Sequence, residues 1–71
     1  MNRYRVTFAL RNVAMTWIDT TMTYVVNGWD HSFALDVATK LFQQDSRRLM
    51  VDEEEWTVRR VTTVLLKGRV E

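Results

Sequence analysis

The fold is decided by Arg3-Tyr4-Arg5-Val6-Thr7-Phe8-Ala9-Leu10-Arg11, in which apolar and polar residues alternate without a break. Tyr4, Val6, Phe8 and Leu10 share one face; Arg3, Arg5, Thr7, Ala9 and Arg11 share the other. A period of two is the signature of a strand with one side on a core and one on solvent. The core must therefore be supplied by a second layer over the even-numbered residues.

Downstream, Arg11-Asn12 reads as a two-residue turn, because Asn tolerates positive φ. Val13 to Val26 is rich in Val, Ile and Thr, whose stiff χ1 angles favour strands. Helical spacing through Val13, Trp17 and Thr20-Thr21 fits this stretch more loosely. Asp19-Thr20-Thr21 interrupts the alternation, as a bulge or a further turn. Asn27-Gly28 is the strongest turn signal in the chain and closes the β region.

Asp30, with Ser32 as competitor, has the short polar side chain of a helix N-cap. Ala34, Val37, Ala38, Leu41 and Phe42 then recur at helical spacing, which predicts an amphipathic helix ending between residues 45 and 49. The acidic run Asp52-Glu53-Glu54-Glu55 reads as a solvated loop. Trp56 to Leu66 is a final Val- and Thr-rich strand whose alternation slips at Arg59-Arg60, which predicts a one-residue bulge.

The expected fold is α+β: a two-layer β-β-α-β domain over residues 1–71, with a small, mainly antiparallel three-stranded sheet and one helix on one face. Pairing of the third strand with the first or with the second is open at this level. The three tryptophans are expected mostly in the core.

Composition bounds function. The chain has no cysteine, one histidine and no proline, and its net charge is +1. No disulfide framework, thiolate metal site or multi-histidine site is available, so no cofactor or metal is expected. With 71 residues the chain buries about 60% of the surface its unfolded form exposes, so oligomerisation or a partner is expected to add stability. Sheet edges without proline invite either one. No apolar run is long enough to span a membrane, and absent cysteine fits a reducing cytoplasm.

Asp30-His31-Ser32 holds the residue types of a hydrolase triad, but neighbours in sequence cannot build its relay. The chain is expected not to be an enzyme. Eight of its ten cations are arginine, which suits carboxylate or phosphate recognition and protein interfaces. The candidate contact residues are Arg3 and Arg5 on the first strand, Arg47 and Arg48 after the helix, Arg59 and Arg60 on the last strand, and Asp52, Glu53 and Glu54 as a second patch.

Three functions follow in order: a protein-binding module occluding a site on a larger protein or complex; a single-stranded nucleic-acid binder using the arginine face beside Trp17 or Trp56; and a homodimeric assembly protein joined at sheet edges. In size and element order, with His31-Ser32-Phe33 before the helix and Trp56-Thr57-Val58-Arg59-Arg60-Val61 in the closing strand, the chain resembles small phage-encoded inhibitors of host machinery, of the RNA-polymerase-inhibitor or anti-CRISPR type. The resemblance implies a non-enzymatic inhibitor acting in the host cytoplasm.

Overall fold

A computed structural model of the protein describes residues 1–49 and 56–67. The elements run β1 (Asn2–Asn12), β2 (Asp19–Gly28), α1 (His31–Leu49) and β3 (Trp56–Lys67). They form a three-stranded sheet in the order β2-β1-β3, with both neighbours antiparallel to β1. The α+β architecture is thus the expected one, and the open question of pairing is resolved: β3 joins β1, the central strand.

The alternation in β1 sets the layers. Tyr4, Val6, Phe8 and Leu10 are buried, and Arg3 and Arg5 are exposed. Ala34 and Ala38 of α1 sit fully buried on Tyr4, Val6, Phe8 and Val26, with Tyr24, Leu35, Val37 and Phe42 packed around them. Phe8 stacks on Phe42 with ring centroids 4.3 Å apart and meets Tyr24 edge-on at 5.8 Å. Such aromatic pairs add about 0.5–1.5 kcal/mol each beyond their buried area. Small alanines on the helix stripe let the two layers approach closely. Leu41, placed on the same stripe by its spacing, is 39% exposed instead, because the helix packs chiefly over β2 and the stripe is narrower than expected.

The helix begins as anticipated. Asp30 Oδ1 accepts the Phe33 amide at 2.8 Å and the Asp30 carbonyl accepts the Ala34 amide at 3.0 Å. Asp30, not Ser32, is therefore the cap. The bulge is also where the broken alternation placed it: Ala9 pairs with Arg60 and Leu10 with Val58, so Arg59 has no partner in the ladder. A second register shift skips Leu66.

Three local expectations fail. Asn12 ends β1, and residues 13–18 form a loop, not a two-residue turn into a strand. The Asn12 side chain, buried at 4% exposure, accepts the amides of Ala14 (3.0 Å) and Met15 (2.9 Å), and the loop is closed by Ile18 N–H to Met15 O and Asn12 N–H to Ile18 O. This side-chain competition for backbone donors overrides the β propensity of Val13, Thr16 and Ile18. Asp19, Thr20 and Thr21 are regular members of β2, opposite Arg11, Leu10 and Ala9. Two of the three tryptophans are also not core residues: Trp17 is 77% and Trp29 65% exposed, one in each loop flanking β2, whereas Trp56 is half-buried.

Candidate functional site

The face of the sheet turned away from α1 is the candidate site. Residues directly opposite in an antiparallel ladder share a face, so register alone lists its rows. Arg3 stands opposite Asn27; Arg5 lies between Val25 and Val64; Thr7 between Thr23 and Thr62; Ala9 between Thr21 and Arg60; Arg11 between Asp19 and Thr57. Of the candidate residues, the fold brings Arg3, Arg5 and Arg60 onto this one face and adds Arg11, which the sequence reading did not single out. Arg59, the bulged residue, lines a shallow depression of about 360 Å3 with Ala9, Leu10, Asp19, Thr20 and Thr21.

The electrostatics of the face are one-sided. Four arginines stand against one carboxylate, Asp19, and that carboxylate already accepts Arg11 Nε at 3.1 Å. Among the described residues this is the one ion pair. Arg3, Arg5 and Arg60 are exposed, so their guanidinium donor forks are available. Beside them Thr7 and Thr23 join through their hydroxyls at 3.3 Å, and Val25 and Val64 are 59% and 39% exposed. The face is therefore a cationic, hydroxyl-lined surface with an apolar band across Arg5.

The remaining candidates lie elsewhere. Arg47 and Arg48 fall in the last turn of α1 and not in the sheet; Asp52, Glu53 and Glu54 lie outside the described residues. Trp56 pairs with the buried Asn12, on the helix side of the sheet, and Trp17 is in the β1–β2 loop. Neither stands in a row of the arginine face, and no aromatic residue occupies those rows among the described residues.

Asp30, His31 and Ser32 are likewise separated in role. Asp30 caps the helix, and the His31 ring meets Tyr4 edge-on with centroids 4.8 Å apart. Among the described residues no group of three or more metal-ligating side chains is gathered, and no helix is long and apolar enough to cross a membrane. Burial, and then the hydrogen bond to Asp45 Oδ2 (2.8 Å) and its charge, push the Tyr24 hydroxyl up to about 12. This pair ties β2 to α1 on the covered face, so its role is in the fold.

The Arg11–Asp19 pairing was legible in principle, since a hairpin closing after Asn12 puts residues 11 and 19 in register; assuming a shorter turn hid it. Compared with protein-family models, with curated proteins and with solved structures, the chain matches none.

Proposed function

We propose that this chain is a small, non-enzymatic protein-binding module whose open sheet face engages an acidic surface on a larger protein or complex and occludes it. The observation that carries this reading is the charge balance of that face, four arginines against a single carboxylate that Arg11 already neutralises. Arginine is enriched at protein interfaces, where it combines directional hydrogen bonds with packing. The valines on either side of Arg5 give the apolar centre such interfaces need, and the threonines supply hydroxyl donors. Stacking on single-stranded bases is less well served, because that mode relies on aromatic platforms. The mode of action is steric: a rigid sheet laid on a partner excludes the partner's own ligand. Inhibition or regulation of a host complex, in the host cytoplasm, follows from that mode and from the architectural resemblance to phage inhibitors.

The test is capture from bacterial lysate on the immobilised chain, run beside an Arg3→Ala/Arg5→Ala/Arg60→Ala variant whose circular dichroism matches wild type. Expected is a stoichiometric protein partner whose recovery falls at least tenfold with the variant. Recovery of no stoichiometric protein, or of nuclease-sensitive material alone, overturns the reading, the latter in favour of nucleic acid.

A further inference from the structure

We infer that the open sheet face takes an α-helix of its partner, an acidic one that lies along β1 with carboxylates at both ends of a small apolar stripe. The inference rests on the reading of that face as a protein-binding surface and names the element the partner presents to it.

A strand cannot take this place. Strands join a sheet through backbone bonds at an edge, and the backbone of β1, at the centre of the face, is already paired on both sides. Whatever docks on the face must pack by side chains, as a helix or as a second sheet. Two packed sheets share an apolar core between their inner faces; here an arginine stands in four of the five rows. A helix is about 10 Å across with its side chains. It can cover the middle strand without burying every row from edge to edge.

The rows fix the pattern of that helix. Between Arg5 and Arg60 the floor is made of short side chains: Thr7 with Thr23 and Thr62, then Ala9 with Thr21. The Thr7 and Thr23 hydroxyls meet each other at 3.3 Å, so the floor accepts small apolar side chains, and Val25 and Val64 extend it on either side of Arg5. Arg3 and Arg5 are about 7 Å apart along β1, and the row of Arg60 is about 20 Å from Arg3. At about 1.5 Å of rise per residue, these are helix separations of about four and about fourteen residues. Positions i, i+4 and i+14 fall on one face of a helix, together with i+7 and i+11. Acids at the first three meet Arg3, Arg5 and Arg60; alanine, valine or leucine at the other two meets Thr7 and Ala9. Arg11 asks for no further partner, because Asp19 holds it at 3.1 Å.

A second copy of the chain does not supply such a helix. The acids of α1 are Asp36 and Asp45, and Asp45 already accepts the Tyr24 hydroxyl. The footprint also sets the strength. From Arg3 to Arg11 the face runs about 26 Å, and a helix about 10 Å wide laid along it covers less than the area of a stable complex. Charge must therefore carry much of the recognition, which makes binding weak and salt-sensitive.

The probe is an alanine-based peptide of about 18 residues with Glu at i, i+4 and i+14 and Leu at i+7 and i+11, long enough to hold a helix. Its binding is read by fluorescence anisotropy at low salt, beside the same peptide with two central prolines, which break the helix. Expected are a dissociation constant below about 1 mM for the first, at least tenfold weaker binding of the second, and a loss of at least tenfold on Arg5→Ala/Arg60→Ala. Thr7→Arg separates a seated helix from attraction at a distance. It adds a cation, so charge alone would strengthen binding; it also fills the floor, so a seated helix is expected to bind at least tenfold more weakly. Thr62→Arg, in the same row at an exposed position, makes the same test if Thr7→Arg fails to fold. Equal binding of the two peptides, tighter binding by the arginine-substituted floor, or no binding of either peptide overturns the inference. So does an oligothymidylate that binds more tightly than the patterned peptide. The proposed function fails separately, through capture that recovers no stoichiometric protein. A captured acidic protein beside inert peptides leaves that function standing and removes the helix.

Discussion

Gly28 sets the distance between the layers. A Cβ built there would lie 3.0 Å from the backbone nitrogen of Ala34 and 3.2 Å from its Cα and Cβ. The neighbour is helix backbone held by the Asp30 cap, so it cannot swing aside as a flexible side chain would. Gly28→Ala is expected to lower unfolding stability by about 1–3 kcal/mol, read as a lower urea midpoint at unchanged slope. The Asn27-Gly28 dipeptide was legible as the end of the β region, but for a different reason from the one that operates. Turn chemistry asks for positive φ; Gly28 has none in the left-handed range and instead faces the first turns of α1. Which residue a helix crosses is a tertiary fact, and a dipeptide carries no trace of it.

At the scale of elements, what was legible and what was not divides by whether the information is local. Alternation is local to a strand, so β1 was read with near-complete bounds, and the phase slip in β3 revealed the bulge at Arg59. The loop 13–18 was misread because Val13, Thr16 and Ile18 carry β propensity while one side chain, Asn12, holds the backbone donors that decide the turn. The docking of α1 on β2 was not legible either, since it rests on Tyr24 meeting Asp45 across 21 residues. That contact has a pH signature. An unfolded tyrosine titrates near 10.0, and the folded Tyr24 near 12. Below the lower value both states hold the proton and stability is complete. Above it the unfolded chain releases its proton first, so stability falls as pH rises through this window and levels off beyond it. The loss is on the order of 1 kcal/mol after allowing for solvent screening. Urea melts between pH 9 and 12 should show this decline, and Tyr24→Phe should flatten it. An equal decline in both proteins would remove Tyr24 as its source.

For the whole molecule the net charge of +1 is the least informative number in the sequence, because it says nothing of how the ten cations and nine acids are distributed. The described acids other than Asp19 lie at the cap and along α1, whereas four arginines line the far side of the sheet. Arg3 and Arg5 are two residues apart on one face, about 7 Å along the strand, with Asp19 at the opposite end of it. Like charges so placed repel, and folding alone gives no reason to keep them. Groups that cost stability without structural return are expected where a partner will neutralise them. Arg5→Glu separates the two roles. It replaces a repulsion with an attraction to Arg3, so the variant should be at least as stable as wild type, with a gain within about 0.5 kcal/mol that fades as salt screens it. The same change should reduce capture of an acidic partner at least tenfold. Urea denaturation at low and high ionic strength, run beside the capture assay, measures both. A variant that loses stability at low salt would mean that Arg5 serves the fold, and the open face would lose its strongest claim to be a binding surface.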